Sequence, residues 1–205
     1  MPHLKEIYTD GWYKKRLEKN GRIEEAANII VPSLYKRFSP ASVIDFGCGA
    51  CNFANKFKKA GTPIVVAVDG PSHSSKYSSP EVVSIVHDLK HPLVTGAKFD
   101  LVFCMEVAEH IEKKFADVFI NSLIRHSTHN GYFAFTAAPP SQGGRHHVNC
   151  QPYEYWIKKF ERRQCFFDDV LTKAIKNEWK NKITKATWYY RNLMIFQNLG
   201  MSNEI

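Results

Sequence analysis

One short turn constrains the fold of this chain more than any other segment. The run Val43-Ile44-Asp45-Phe46 continues directly into Gly47-Cys48-Gly49, and a helix-forming stretch follows. Glycines in such a turn let the backbone approach a ligand closely, because no Cβ intervenes. In open α/β sheets the ligand crevice lies at strand ends of this kind. The turn therefore predicts a mainly parallel sheet with a ligand site at the carboxyl edge of its strands.

The same turn separates two classes of cofactor. Dinucleotide-binding loops follow the pattern G-x-G-x-x-G and hold a pyrophosphate at a helix N-terminus. Here Asn52 stands at the third glycine position of that pattern, and Asp45 would repel a pyrophosphate. An acid at this place suits a cationic or hydroxyl-rich ligand instead. The pattern therefore disfavours a dehydrogenase.

Four further apolar runs follow at the spacing of βαβ units, and three of them end in acids. The second strand ends at Asp69, the third at Asp88 and Leu89, and the fourth at Glu106. A carboxylate at such an end can accept hydrogen bonds from two ribose hydroxyls, because each of its oxygens is an acceptor. The four runs are residues 63–69, 82–89, 99–106 and 131–137.

Taken in order, these segments resemble the class I S-adenosylmethionine (SAM) methyltransferases, whose first motif is hhD/ExGxGxG. Cys51 stands where that family has its third glycine. The resemblance covers about residues 40–140 and implies a Rossmann-like, seven-stranded, mostly parallel sheet with helices on both faces. It implies that Asp69 binds the ribose and that Asp88 and Leu89 lie at the adenine. The cofactor-binding residues it implies are Asp45, Gly47, Cys48, Gly49, Asn52, Asp69, Gly70, Asp88, Leu89, Cys104 and Glu106.

The resemblance implies one methyltransferase domain over residues 1–205, with three parts whose helices and strands follow from the apolar periodicity. Residues 1–40 are expected to form a helical lid, mostly one helix over residues 5–38, and residues 41–140 the SAM-binding core. The remaining part, residues 141–205, is predicted to hold a substrate-side loop, two basic helices and a final strand. Helices are predicted over residues 52–60, 107–127, 152–163 and 166–183, and the final strand over residues 188–196.

The stretch Glu106-Val107-Ala108-Glu109-His110 carries the candidate catalytic chemistry. If a helix begins there, Glu106, Glu109 and His110 share one face. The stretch resembles the E-x-x-E-H of small-RNA 2′-O-methyltransferases and of ubiquinone-biosynthesis O-methyltransferases, where it belongs to a divalent-metal site. That resemblance implies His147 as a fourth ligand and magnesium or manganese as the ion. In the alternative without metal, His110 or His147 acts as a general base and Glu106 lies beside the cofactor.

The residue types favour transfer to a hydroxyl, which needs a base or a metal to activate it. The chain lacks the N/D-P-P-Y pattern of nucleic-acid amino methyltransferases and the Pro-Cys context of C5-pyrimidine chemistry. The acceptor is expected to be a small molecule, a sugar or a phosphorylated compound. Two alternatives stay open, namely an RNA 2′-O-methyltransferase acting on an RNA end and a non-catalytic SAM-binding partner subunit. The sequence does not indicate an oligomeric state.

The amino-acid composition indicates which partners the protein binds and in which cellular compartment it is expected. The net charge of +8 and the basic C-terminal segment suit an anionic substrate, including RNA, although solvated helix faces give the same pattern. No apolar run is long enough for a membrane span. Five scattered cysteines favour a reducing cytoplasm. The spacing Cys48-x-x-Cys51 lacks a second pair for a zinc site, and we interpret it as incidental.

Overall fold

Buried, parallel strands organise the molecule. The computed structural model describes residues 9–11, 21–70 and 74–200 of the chain. In that part seven strands form a single sheet. They are β1 (Ser42–Phe46), β2 (Ile64–Asp69), β3 (Val83–Val86), β4 (Phe99–Met105), β5 (Ser127–Thr136), β6 (Cys165–Phe167) and β7 (Met194–Asn198).

The order of the strands brings the predicted strand ends together. The sheet runs β3-β2-β1-β4-β5-β7-β6. Strands β1 to β5 pair in parallel, whereas β7 is antiparallel to both β5 and β6. In register, Asp45 of β1 lies between Ala67 of β2 and Phe103 of β4. The carboxyl ends of these strands therefore share one edge, which confirms the predicted α/β class and seven-stranded sheet.

Helices cover both faces of the sheet, and each face has its own apolar core. On one face Trp179 is fully buried and donates a hydrogen bond from Nε1 to Ser33 Oγ at 2.9 Å. On the other face Phe160 stacks on Phe196 with ring centroids 4.1 Å apart. The helices are α1 (Gly21–Phe38), α2 (Asn52–Lys59), α3 (Ala116–Arg125), α4 (Tyr153–Glu161), α5 (Asp169–Lys180) and α6 (Trp188–Arg191).

The N-terminal helix is confirmed where the structure describes it. Of the helix predicted over residues 5–38, residues 5–8 and 12–20 lie outside the described part. Helix α1 contains Pro32 in its interior, although proline removes one backbone hydrogen bond of a helix. Burial of Val31 and Leu34 on either side of this proline supports continuation to Phe38.

Two segments differ from the sequence prediction. The helix expected over residues 107–127 begins only at Ala116, and short 3₁₀ turns cover Ala108–His110 and Lys113–Phe115. The reason lies at Ile111 and Glu112, whose ψ of 119° and 140° are extended and interrupt any continuous right-handed helix. The strand expected over residues 188–196 is instead α6 followed by β7, and the short edge strand β6 was not predicted.

Within residues 9–11, 21–70 and 74–200, none of the helices has the length and apolar character needed to cross a membrane.

Candidate functional site

A cavity of about 730 Å³ opens at the carboxyl edge of the parallel strands. Its two ends differ in construction, and we name them by their residues. The strand-end half is lined by Asp45, Gly47, Cys48, Gly49, Asn52, Asp69, Gly70, Asp88 and Leu89. The loop half is lined by Glu106, Glu109, His110, Gln142, Arg145, His147, Trp188 and Arg191.

The turn after β1 forms the floor of the strand-end half. Gly47 and Gly49 have φ of 74° and 54°, and Cys51 has φ of 56°, so the third residue also takes a conformation that favours glycine. The backbone N–H groups of Gly47 and Cys48 both donate to the carbonyl of Val68, at 2.8 and 3.1 Å. The turn is thereby fixed to the adjacent strand β2.

The reason for glycine at position 47 differs from the one expected. A Cβ on Gly47 would overlap the side chain of Val107, which comes from the chain just after β4. Gly47 therefore admits a neighbouring side chain rather than a ligand. At Gly49, by contrast, a Cβ would meet open space.

Asp69 ties the turn to the end of β2. Its Oδ2 accepts a hydrogen bond from the N–H of Gly49 at 2.7 Å, and its Oδ1 accepts one from Gly70 at 2.7 Å. Burial raises the pKa of Asp69 to about 6, against the lowering effect of these two donors. Each oxygen keeps a further lone pair for a ligand hydroxyl.

Asp45 lies deeper and is less satisfied. It is 2 % exposed, and its Oδ2 has no hydrogen-bond partner among the described residues. Burial, followed by the nearby Asp69 carboxylate, raises the pKa of Asp45 to about 8. The strand-end half therefore holds two acids that attract a cationic or hydroxyl-bearing ligand.

The remaining predicted residues of this half line the cavity, with one exception. Asp88 accepts a hydrogen bond from the N–H of Lys90 at 3.1 Å, and Asn52 donates to Glu24 at 3.3 Å. Cys104 is wrongly placed by the prediction, because it is 1 % exposed and packs in the core rather than at the cavity. Side chains alternate along a strand, so its neighbour Met105 faces the cavity instead.

Glu106 sits at the junction of the two halves and is committed to other side chains. Its carboxylate accepts hydrogen bonds from Gln142 Nε2 at 2.7 Å and from Asn192 Nδ2 at 2.9 Å. Asn192 also donates to Gln142 Oε1 at 2.8 Å. Neither amide was predicted, and no local pattern marks them, because they lie 36 and 86 residues from Glu106.

Glu109 is the least satisfied polar group of the loop half. Its side chain is fully buried, and neither carboxylate oxygen has a hydrogen-bond partner in the described part of the chain. Burial, and then the charge of Glu106, raise the pKa of Glu109 well above its ordinary value. Its backbone carbonyl accepts from the N–H groups of Val148 and Asn149 at 2.9 and 3.0 Å, which holds the loop after β5 in place. A buried carboxylate without partners marks a place for a cation or a proton.

Two histidines meet this carboxylate. The ligand atoms of Glu109, His110 and His147 all lie within 4.8 Å of one another, and Nε2 of His147 is 3.9 Å from Oε1 of Glu109. His110 Nδ1 lies 3.0 Å from the carbonyl of His146, and His147 Nδ1 lies 3.4 Å from that of Gln142. Carbonyls only accept, so a proton on Nδ1 of either ring would donate to its carbonyl, and Sγ of Cys150 lies 3.6 Å from the same nitrogen of His147.

The structure thus brings three of the four predicted metal ligands together. Glu106 lines the same cavity but is not part of the group, because Gln142 and Asn192 hold its carboxylate. The three residues share no helix face, since Glu109 and His110 lie in a 3₁₀ turn and His147 lies in the loop after β5. One carboxylate and two imidazoles can bind a divalent transition metal or serve as a base with its partner acid.

Cationic and aromatic side chains surround the mouth of the loop half. Arg145 and Arg191 are exposed at the cavity and form no ion pair with residues of the described part. Trp188 lines the same wall, and the guanidinium carbon of Arg22 lies 5.9 Å from its ring centroid. This mouth is therefore suited to an anionic ligand.

Comparison with protein families gives one match. A family described as a methyltransferase domain matches residues 19–180, which is most of the chain. No curated protein matches the sequence significantly.

Solved structures share the fold at low sequence identity. SAM-bound CalS10, an amino pentose methyltransferase from Micromonospora echinaspora, is 12% identical with a TM-score of 0.68, over 96% of this chain and 100% of that one. The N-methyltransferase NodS from Bradyrhizobium japonicum, bound to S-adenosyl-L-homocysteine (SAH), is 14% identical with a TM-score of 0.64, over 90% and 91%. Magnesium protoporphyrin IX methyltransferase from Synechocystis with SAH is 14% identical with a TM-score of 0.63, over 93% and 94%. At these identities the likeness shows the fold alone.

Proposed function

The chain belongs to the class I SAM-dependent methyltransferases, and we propose that within this family it methylates a hydroxyl group of a small anionic acceptor, such as a sugar or a phosphorylated compound. One observation carries the proposal: a single cavity holds the acids of the strand-end half and, beside them, the buried Glu109 with two histidines, its carboxylate accepting no hydrogen bond from the described residues. The first set suits SAM, and the second suits activation of a hydroxyl.

The cofactor assignment follows the two halves. When bound, SAM supplies an electrophilic methyl group on a sulfonium cation. We assign the ribose to Asp69, the adenine to the end near Asp88 and Leu89, and the methionine part to the side of Glu106. The Asp69 carboxylate favours a cationic ligand, and such a ligand would in turn oppose the raised pKa of the neighbouring Asp45.

The loop half fits a divalent cation. The buried Glu109 carboxylate has no hydrogen-bond partner in the described part of the chain, and its ligand atom lies within 4.8 Å of those of His110 and His147. We therefore propose Glu109, His110 and His147 as the ligands, with Glu106 positioning the loop through Gln142 instead of binding metal. Of the two ions expected, Mn²⁺ suits two imidazoles better than Mg²⁺, which prefers oxygen ligands. When bound, such an ion lowers the pKa of a coordinated hydroxyl.

Without a metal the same residues support a base mechanism. His147 would take the hydroxyl proton at Nε2, and the Glu109 carboxylate at 3.9 Å would stabilise the resulting imidazolium. Both mechanisms use Glu109 and His147 in the same positions. They therefore differ in their response to chelators rather than in their geometry.

The acceptor class rests on the mouth of the cavity. Arg145 and Arg191 offer guanidinium groups with no acidic partner among the described residues, and such groups bind phosphate or carboxylate oxygens in pairs. An RNA end carries the same phosphate chemistry and is the second candidate acceptor. No residue of the basic helices α4 and α5 lines the cavity, so the RNA candidate rests on the two arginines alone. The five free cysteines support placement in a reducing cytoplasm.

The decisive experiment separates cofactor, cation and acceptor. Conversion of SAM to SAH is measured with sugar phosphates and with RNA oligonucleotides, in EDTA and after adding Mn²⁺ or Mg²⁺. We expect turnover to stop in EDTA and to return with Mn²⁺, while calorimetry shows unchanged SAM affinity. Turnover with none of the acceptors, despite SAM binding, would favour the non-catalytic partner subunit.

Mn²⁺ binding is also measured directly by electron paramagnetic resonance. The variant Glu109→Gln should weaken it by at least about tenfold. Glu112→Gln is the matched control, because Glu112 also lines the cavity but lies outside the ligand group. Full turnover in EDTA would exclude the metal mechanism.

A further inference from the structure

We propose that Cys48 and Cys51 form an oxidation site whose disulfide closes the SAM-binding turn. The inference rests on the proposed SAM site, since its consequence is a loss of SAM affinity. Spacing alone favours an incidental interpretation of these two cysteines. The contact between their side chains assigns them a role.

The geometry is close to that of a disulfide. Sγ of Cys51 lies 3.6 Å from Sγ of Cys48, and the N–H of Cys51 donates to the carbonyl of Cys48 at 2.9 Å. A hydrogen bond across four residues in this way defines a β-turn, in which the end Cα atoms lie within about 7 Å. Disulfides need Cα separations of about 4.4–6.8 Å and an S–S bond of about 2.05 Å. The two sulfurs therefore need to approach by only about 1.5 Å.

The local backbone permits this approach. Cys48 is flanked by Gly47 and Gly49, and the space beside Gly49 is open. Glycine has the widest choice of backbone conformation, so the segment between the two cysteines can adjust at small cost. Cys51, at the start of α2, is fully buried and stays fixed in the core. The backbone N–H of Cys48 is bonded to the carbonyl of Val68, so the approach is made by the Cys48 side chain and by the segment Gly49-Ala50.

The same movement reaches the SAM site. Cys48 lines the cavity, and Gly49 lies inside the ring that a disulfide would close. The Gly49 N–H donates to Asp69, the residue assigned to the ribose, at 2.7 Å. Tightening the turn shifts this amide and with it the Asp69 carboxylate. By linkage, SAM bound over Cys48 should in turn slow its oxidation.

The environment sets the class of oxidant. The Cys51 thiol, burial and the Asp69 carboxylate all raise the pKa of Cys48, so its thiolate is scarce and mild oxidants react slowly. A peroxide in excess is therefore the oxidant, because it supplies two oxidising equivalents to the small thiolate fraction of Cys48. Cys48 Sγ attacks one peroxide oxygen, the O–O bond breaks, and water leaves as a sulfenic acid forms. Cys51 Sγ then attacks the Cys48 sulfur, the S–O bond breaks, and a second water leaves. Two thiols and hydrogen peroxide give one disulfide and two waters, and an added dithiol reduces the disulfide by exchange while it is itself oxidised.

The test measures the mass of the full chain and its affinity for SAM, before and after oxidation. Reduced protein is treated with hydrogen peroxide, and we expect a loss of about 2 Da with a peptide that links Cys48 to Cys51. Calorimetry should show at least about fivefold weaker SAM binding, restored by dithiothreitol. Saturating SAH should slow formation of the link.

Two variants control the test. Cys51→Gly removes the partner sulfur and suits the left-handed backbone at this position, so its SAM affinity should withstand peroxide. Cys165→Ala removes a buried sulfur elsewhere, and this variant should stay as sensitive as the natural protein. Three results would overturn the proposal: oxidation of Cys48 to sulfinic acid without a link, a link without change in affinity, or equal sensitivity of Cys51→Gly. Absence of SAM binding before any oxidation would instead refute the proposed cofactor site.

Discussion

The two halves of the cavity satisfy their polar groups in opposite ways. In the strand-end half, Asp69 uses both oxygens on backbone amides of the neighbouring turn. In the loop half, Glu109 is fully buried and neither oxygen has a partner among the described residues. The Asp69 carboxylate is therefore satisfied without a ligand, although Asp45 beneath it keeps one oxygen without a partner among the described residues. The Glu109 carboxylate is stabilised only when a proton or a cation joins it.

This difference follows from the backbone beneath each half. Adjacent parallel strands fix the strand-end half, and the amides of Gly47 and Cys48 are bonded to β2. Three segments distant in sequence form the loop half, and the Glu106–Gln142–Asn192 network connects them. These contacts indicate a cofactor site that is formed in advance, beside an acceptor site that is completed only when its ligand binds. Three substitutions test it, in order of decreasing effect.

The largest effect is expected from Gly47→Val. Its Cβ would overlap Val107, and its φ of 74° is strained for a branched residue. Overpacking and strain together should lower the free energy of unfolding by about 3 kcal/mol or more, as measured by urea denaturation. Gly49→Ala is the control, because it has a similar φ but open space and should lose only about 1–2 kcal/mol. Equal stability of the two variants would mean that the strand-end half is less rigid than its contacts indicate.

Asp69→Ala should weaken SAM binding without affecting cation binding. The substitution removes the acceptor of two backbone amides as well as the proposed ribose contact. The expected loss of SAM affinity by calorimetry is about 1–3 kcal/mol, the range for removing a charged hydrogen-bond partner. Mn²⁺ affinity should stay within about twofold of the natural value, since the two halves do not share these contacts. A parallel loss of both affinities would contradict the separation into halves.

The smallest effect concerns Asp45 and pH. Its folded-state pKa is raised to about 8 from an unfolded value near 3.8, so the folded protein retains a proton that the unfolded chain releases. This contribution to stability is complete below pH of about 4 and is lost as pH rises toward 8. Asp45→Asn keeps the shape of the side chain without its charge. The thermal unfolding midpoint of this variant should therefore exceed that of the natural protein by at least about 2 °C at pH 8.

Thermal scans without ligand from pH 5 to pH 8 check this expectation. The difference between the two proteins should shrink toward pH 5, where the natural Asp45 is also protonated. A difference that does not depend on pH would show that Asp45 is ionised in the folded protein.

The strand-end half was the part that sequence could predict. Each of its acids follows an apolar run, and parallel pairing places the ends of such runs at one edge. Asp45, Asp69 and Asp88 are therefore marked by local pattern alone, and the structure places all three around the cavity. Their roles toward SAM stay predictions. Cys104 was misassigned because the prediction ignored that side chains alternate along a strand, and this alternation places Cys104 in the core.

For the loop half, the sequence predicted which residues take part but not the backbone that presents them. Glu109, His110 and His147 were named, but the helix expected to present them does not exist at that point. A positive φ at Glu106 ends the strand, and a tertiary network rather than a helix propensity maintains it. Contacts between residues 36 and 86 positions apart leave no periodic signal in a single sequence. Gln142 and Asn192 were missed for this reason.

The position of β7 has a consequence for how the chain is made. This strand comes after the others in the chain, yet it lies between β5 and β6 in the sheet. Until residues 194–198 have left the ribosome, β5 presents an unpaired edge and Phe160 lacks its stacking partner Phe196. Exposed edges of this kind pair readily with other chains. Newly made protein therefore passes through an interval of aggregation risk, and the interval ends when the last strand enters the sheet.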